Sequence, residues 1–289
     1  MPELPEVETV RQDLRQKILG KKITQLEMLK TKLNKKEAIE FESNITGNSF
    51  QEIERYGKLL VFVLQKSGQY MLVHLKMTGQ LVYRLKDSVV MGGHSFSKIE
   101  SVLPGKHTRI IFTFSDGSKL FFNDLRRFGY IKVVNNRELE NILARFGMEP
   151  LKENFTLKSF SELIKKKKMV LKALLMNQAL VAGIGNIYAD EICFAAGILP
   201  ERKTTSLTAA EIEKLYLSAN KIIKKAIESR GTTFNNYVDG EGKKGSFVKF
   251  LQVYGRQGKM CLRCNDEKVL VKKKKAAGRG THFCEQCQK

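Results

Sequence analysis

The chain has 289 residues, and its 51 Lys and Arg against 30 Asp and Glu give a formal net charge of +21 and a pI near 9.7. That excess of positive charge points to a polyanionic partner. The longest apolar stretches, such as Leu59 to Leu64, fall far short of the ~20 residues a spanning helix needs, which excludes a helix that crosses a bilayer.

Taken in chain order, Leu4, Val7, Val10, Leu14 and Ile18 recur at helical spacing with Gly20 behind them. They predict an amphipathic helix over residues 2–19, with Pro2 at its mouth. From Ile23 to about Val134 the pattern turns to short β-rich runs: Lys58–Leu64, Gln69–Lys76, Leu81–Leu85, Arg109–Phe114, Lys119–Phe122 and Tyr130–Val134. Asp116-Gly117 marks a hairpin turn between two of them. An antiparallel sandwich or barrel that carries the first helix is expected here.

Beyond Asn135 the sequence turns helical, with helices expected at 137–146, 159–167, 169–177, 187–196 and 208–229. Thr208 opens the last, with Glu211 three residues on. Residues 231–246, rich in Gly, Asn, Asp and Lys, read as a mobile loop, and the tail from about 248 reads as a strand pair around cysteines. The expected fold class is α+β, divided into a β-domain at 1–134, a helical domain at 135–245 and a finger at 246–289. The first residues lack a basic head followed by an apolar run, so no secretory signal is expected and the cytosol is the expected compartment.

Four of the five cysteines crowd into the last 29 residues. Cys261 and Cys264 are separated by two residues, as are Cys284 and Cys287, and 19 residues lie between the pairs. Two such knuckles offer a tetrahedral set of four thiolates suited to Zn²⁺, and no position is left open for water. One structural zinc is therefore expected, in preference to disulfides in a reducing cytosol. Cys193, alone on an apolar helix face, reads as a core residue.

Met1-Pro2-Glu3-Leu4-Pro5-Glu6 is the other feature with chemistry in it. If Met1 is removed, Pro2 presents a secondary amine whose reference pKa of ~7.7–8.0 would be lowered by a helix N-terminus or nearby cations. Attack on a sugar aldehyde carbon would give an iminium with no second proton to lose, a permanent electron sink. Taken alone, the same residues also fit a helix start in which prolines begin the helix and glutamates complement its dipole.

This opening resembles the start of formamidopyrimidine-DNA glycosylases. So, in order along the chain, do His74-Leu75-Lys76-Met77-Thr78-Gly79, Asp124-Leu125-Arg126-Arg127-Phe128-Gly129, Gly183-Ile184-Gly185-Asn186-Ile187-Tyr188-Ala189, Gln252-Val253-Tyr254-Gly255-Arg256 and Gly278-Arg279-Gly280-Thr281-His282-Phe283-Cys284. The related endonuclease VIII branch typically has glycine where Leu4 stands, which favours the purine-lesion branch.

The resemblance implies a bifunctional glycosylase and abasic-site lyase of base excision repair. It would remove oxidised purines such as 8-oxoguanine and formamidopyrimidines from duplex DNA, then cleave the strand by β- and δ-elimination. The implied roles are Pro2 as nucleophile, Glu3 as the proton donor that helps open the sugar ring, Lys58 as donor for β-elimination and Arg279 as donor for δ-elimination. Glu6 would be a second carboxylate at the site. An extruded base leaves a gap, which Met77, Arg126 and Phe128 would fill, the apolar pair replacing stacking and the arginine pairing with the orphaned base. His107 and Lys167 would contact DNA. His74 and Asn186 would lie by phosphates, Asn186 in the turn of a helix-two-turn-helix, and the finger would be a zinc ribbon. The implied partner is duplex DNA with damaged bases or abasic sites, bound by a monomer in a bacterial cytoplasm, with no membrane involved.

Read singly, Met77 and Phe128 are ordinary core residues and Lys167, within Lys165–Lys168, is part of a solvated face. A non-enzymatic nucleic-acid-binding protein would explain the charge and the cysteines but not Pro2-Glu3. Some segments depart from the family. The stretch between Arg84 and His107 is long, Met91-Gly92-Gly93-His94 within it has no assignment, and Lys272–Lys275 reads as an added basic run. Thr78 and the 231–246 loop, which matches the region that closes over a flipped base, are expected to tune base preference.

Overall fold

A computed structural model describes residues 1–29, 34–66, 68–85, 88–94, 103–232, 237–238 and 246–289. It divides into two units, residues 1–143 with 229–246, and residues 144–228 with 247–289.

The first unit opens with α1 (Leu4–Ile18), in which Pro5 starts the helix and Arg15 and Lys17 complement the carboxyl end of its dipole. Leu4, Val7, Val10, Leu14 and Ile18 are all buried, as their spacing predicts. One antiparallel sheet joins β2 (Phe50–Tyr56), β3 (Leu59–Leu64), β4 (Gln69–His74) and β9 (Tyr130–Asn135) in that order. The other sheet has the order β1 (Ile23–Met28), β7 (Thr108–Phe114), β8 (Lys119–Asp124), β5 (Gly79–Leu85), β6 (Ser88–His94), β10 (Tyr237–Val238). A single apolar cluster takes Val7, Val10 and Leu14 from the helix, Phe50, Phe62 and Val73 from the first sheet and Leu81, Phe112 and Phe122 from the second. This is the expected sandwich carrying a helix.

All six expected β-runs are strands, with ends shifted by no more than two residues. Gln69–Lys76 stops early because Leu75 to Thr78 turn the chain, closed by the Gly79 N–H on the Leu75 carbonyl at 2.8 Å. Two strands before Lys58 were not foreseen. Register shifts between Ile23 and Gln25 and between Phe50 and Glu52 break the alternation that would have marked β1 and β2. Also unforeseen is α2 (Lys35–Ile45), opened by Asn34, whose Oδ1 accepts the Glu37 N–H at 2.9 Å while Glu37 returns the bond. The Asn-x-x-Glu signal was present in the sequence.

The unassigned Met91-Gly92-Gly93-His94 belongs to strand β6, and Tyr237 and Val238 of the expected loop pair with His94 and Gly93. Residues 86–87 and 95–102 of the first segment and 233–236 and 239–245 of the second lie outside the described residues.

In both units together, the helices expected after Asn135 are α3 (Asn136–Leu143), α4 (Leu157–Lys166), α5 (Leu171–Met176), α6 (Asn186–Ala196) and α7 (Ala209–Glu228). The last four form the second unit with the cysteine-bearing tail. That tail is two two-stranded sheets, β11 (Met260–Cys261) with β12 (Asp266–Leu270), and β13 (Lys272–Ala276) with β14 (Arg279–Phe283). Cys193 is fully buried, and burial pushes its thiol pKa up, as befits an inert core residue. No described helix is long and apolar enough to cross a membrane.

Candidate functional site

In the first unit, Pro2 and Glu3 are buried at the mouth of α1. The Glu3 N–H donates to Glu6 Oε2 at 2.8 Å, so the Glu6 carboxylate folds back over the first turn. Its other oxygen, Oε1, accepts the Thr232 N–H at 2.7 Å. Gly231 has φ of +80°, and a Cβ there would lie 2.8 Å from Glu6 Oε1. Glycine is therefore required for the chain to approach the carboxylate this closely. One buried acid thus ties the helix mouth to the start of the 231–246 segment.

Lys58 sits just past Gly57 in the turn from β2 to β3 and is only 4% exposed. Burial drives its pKa down, Glu3 and Glu6 act in the opposite direction, and Lys76 adds to the lowering. An ammonium so placed gives up its proton more readily than an ordinary lysine does. His74, at the end of β4, has its pKa lowered to about 3 by burial and by Lys76 and Lys58, so the imidazole is neutral at physiological pH. Its Nδ1 accepts the Lys76 N–H at 3.0 Å. The ring proton therefore resides on Nε2, which is a donor for an anion.

Met77, Arg126 and Phe128 come together. Arg126 Nη1 lies 3.0 Å from the Met77 sulfur, and its guanidinium stands 4.6 Å from the centre of the Phe128 ring. Met77 is 39% and Phe128 50% exposed, which rules out the reading of either as a core residue. Asp124 builds the loop that presents them. Its Oδ1 accepts from the Thr78 hydroxyl at 2.5 Å and from the Arg126 N–H at 3.2 Å, and its Oδ2 accepts from Gly129 N–H at 2.7 Å. Arg109 donates twice to the Asp124 carbonyl, at 2.8 and 3.0 Å. Gly79, next to Thr78, admits no side chain, since a Cβ would lie 2.4 Å from the Leu75 carbonyl oxygen. His107 immediately precedes β7, half-buried, and its carbonyl accepts the Asp124 N–H at 2.9 Å.

In the second unit, Asn186 is the first residue of α6 and follows Gly185. The turn before it is stitched by Gln178, whose Nε2 donates to the Met176 and Ile184 carbonyls, both at 2.8 Å, while Oε1 accepts the Gly183 N–H at 2.9 Å. Asn186 Nδ2 donates to the Gly280 carbonyl at 3.1 Å. Lys167 caps the carboxyl end of α4, where its carbonyl accepts from the Thr204 hydroxyl. Arg279 is exposed at the start of β14.

Three further groups hold this part together, and the sequence reading gave them no role. Lys172 and Asp190 are fully buried with Nζ 2.6 Å from Oδ1. Lys172 also donates to Thr281 Oγ1 at 2.8 Å and the Gly280 carbonyl at 3.3 Å, so the buried ammonium has hydrogen-bond acceptors as well as a counter-charge. Asp190 Oδ2 accepts the His282 N–H at 2.8 Å. Glu191 accepts the backbone N–H groups of Gln252, Val253 and Tyr254 at 2.8 to 2.9 Å, fixing that motif to α6. The available signal was three charged residues inside apolar helical runs, which only a partner makes tolerable. Lys172→Met strands the Asp190 carboxylate in the core and should cost about 3–5 kcal/mol. Urea unfolding followed by a probe in this unit would measure it, and a midpoint unchanged from the parent would contradict the pairing.

The four cysteine sulfurs lie within 4.8 Å of one another. Cys261 and Cys287 are 3.7 Å apart, Cys264 and Cys284 3.8 Å, and Cys264 and Cys287 3.1 Å. A tetrahedral ion with metal–sulfur bonds of about 2.3 Å separates its sulfurs by about 3.8 Å, so the donor set fits such a metal.

Residues 1–131 match the family described as formamidopyrimidine-DNA glycosylase N-terminal domain, and residues 146–237 match the formamidopyrimidine-DNA glycosylase H2TH domain. The chain is 40% identical over 292 residues to the formamidopyrimidine-DNA glycosylase of Pelotomaculum thermopropionicum, covering 100% of this chain and 99% of that one. It is 41% identical over 290 residues to that of Carboxydothermus hydrogenoformans, covering 100% of both. Among solved structures it resembles Lactococcus lactis Fpg in complex with abasic-site DNA, with a TM-score of 0.87 and 34% identity over 99% of each chain. The same Lactococcus lactis protein in complex with DNA containing N7-benzyl-Fapy-dG gives a TM-score of 0.86 at 34% identity over 100% of each chain.

Proposed function

Because this chain belongs to the formamidopyrimidine-DNA glycosylases, enzymes that act on damaged DNA in repair, we propose that it excises oxidised purines and then cleaves the abasic strand. The observation that carries this reading is the grouping of Pro2 and Glu3 at the mouth of α1 with the buried Lys58, whose charge responds to Glu3 and Glu6.

The chemistry follows from those groups. Once Met1 is removed, the Pro2 nitrogen attacks C1′ of the damaged nucleotide, the bond to the base breaks, and Glu3 protonates the ring oxygen as the sugar opens. The product is an iminium, which draws electrons from C2′ and so favours loss of the 3′-phosphate by β-elimination. Lys58, with a pKa lowered by burial, is suited to the proton transfer in that step. The role of Arg279 in δ-elimination rests on the family likeness alone.

A base must leave the stack to be reached, at a cost of a few kcal/mol, and the exposed Met77, Arg126 and Phe128 group is suited to fill the gap. Neutral His74 can donate to a phosphate from Nε2, His107 and Lys167 supply further DNA contacts, and Asn186 stands where a helix N-terminus offers backbone N–H groups to an anion. The four cysteines would hold one Zn²⁺, which supplies a closed structural cross-link and no reaction step.

Sodium borohydride reduces the iminium, so it should freeze a covalent protein–DNA adduct on an 8-oxoguanine:cytosine duplex. A pyrimidine glycol duplex serves as the second arm, since a Lactococcus lactis Fpg complex with DNA containing an oxidized pyrimidine is known. Faster trapping on 8-oxoguanine supports the purine reading. Faster trapping on the glycol would reassign the substrate class, and no adduct on either would remove the mechanism.

A further inference from the structure

β13 opens with a run of four lysines, and its pairing with β14 sorts them by face. Lys272, Lys273, Lys274 and Lys275 oppose Phe283, His282, Thr281 and Gly280. Successive side chains alternate, so Lys272 and Lys274 share one face and Lys273 and Lys275 the other.

The two faces differ in charge balance. Lys272 Nζ lies 2.6 Å from Glu285 Oε2, and Lys274 pairs with Glu201 and stands 4.5 Å from the centre of the Phe283 ring. Both lysines of that face have a carboxylate partner. Lys273 and Lys275 are exposed and make no ion pair among the described residues. A Cβ on Gly280 would lie 3.0 Å from Lys273 Cε, so the Lys273 side chain runs across Gly280. The Gly280 carbonyl is the group that accepts the Asn186 side-chain N–H. The unbalanced lysines therefore adjoin the start of α6.

We infer that Lys273 and Lys275 bind DNA phosphates, forming a cationic strip on the cysteine-bearing finger beside Asn186. This rests on the reading of the chain as a duplex-DNA enzyme and adds two ionic contacts to those the family likeness supplies. Only an unneutralised lysine displaces counterions from DNA when it binds, and each such contact steepens the fall of log affinity with log salt by about 0.9.

The test compares Lys273→Gln/Lys275→Gln with Lys272→Gln/Lys274→Gln, two variants that lose the same formal charge. Affinity for a lesion-free duplex is read by fluorescence anisotropy between roughly 50 and 300 mM NaCl, a range that spans the steep counterion-release regime. Zinc content and thermal unfolding establish that the finger is intact in each. The Lys273/Lys275 variant is expected to lower the salt slope by about 2 and the affinity near 0.1 M salt by about tenfold or more, while the Lys272/Lys274 variant stays close to the parent. Equal losses in both variants, or a parent-like slope for Lys273→Gln/Lys275→Gln, would overturn the inference. A parent protein that binds the duplex without salt dependence would instead overturn the DNA-binding reading on which it rests.

Discussion

Protein whose Pro2 nitrogen is acylated, whether by retained Met1 or by an amino-terminal tag, is expected to bind abasic-site duplex normally and to yield no borohydride adduct. An amide nitrogen has its lone pair delocalised into the carbonyl and cannot attack a sugar carbon, so the covalent route closes entirely. Strand cleavage should fall on the order of 10³-fold or more, the scale seen when a covalent nucleophile is removed. Binding should survive because the groups suited to phosphate and to the base gap, His74, Met77, Arg126 and Phe128, are separate from that nitrogen. Mass spectrometry of the intact protein would fix the state of the terminus, and parallel binding and trapping assays would separate the two effects. Full cleavage by a homogeneous Met1-retaining preparation would sink the mechanism. Glu6 makes the placement of this terminus specific, because its two oxygens hold the Glu3 N–H and the Thr232 N–H.

Removal of metal by a strong chelator is expected to unfold the finger at residues 260–289 while the first unit keeps its fold. The finger consists of two-stranded sheets, which are marginal in water without a further source of stability. The apolar cluster around it is small, comprising Phe194, Val253, Val271, Cys261 and Cys284 with a few partly buried neighbours. A structural zinc supplies about 10–16 kcal/mol of apparent binding free energy in small zinc domains, which becomes folding free energy when the apo site is unfolded. Chelated protein should gain protease sites between Cys261 and Cys287 and lose most of its affinity for duplex DNA. Metal analysis should return one zinc per chain before treatment. Protease resistance and undiminished affinity in metal-free protein would refute the structural role of the site.

Periodicity and turn chemistry made much of the fold legible in advance. The helix at 2–19 carried five apolar residues on one face, and all five are buried in α1. The hairpin at Asp116-Gly117 forms with Gly117 at φ +79° and Asp116 Oδ1 accepting the Ser118 N–H at 3.0 Å. Where local pattern failed, the reasons are physical. Bulges put β1 and β2 out of phase, and α2 opens at a capping box inside a stretch read as β-rich. β6 and β10 are paired through backbone groups between segments more than 140 positions apart, a contact no local window contains.

The sequence by itself determined the chemistry available to this protein: a proline that can become a free secondary amine, a glutamate beside it, and four thiols at metal-binding spacing, each a covalent or short-range property. Only the tertiary structure decided which groups act in company. Lys58 acquires its lowered pKa from burial, against the opposing pull of Glu3 and Glu6, His74 is neutral because of its surroundings, and the Met77, Arg126 and Phe128 group is assembled by Asp124. Desolvation and long-range hydrogen bonding depend on what the fold places around a residue. The charge of Lys172, balanced inside the core by Asp190, 18 positions along the chain, is the plainest example.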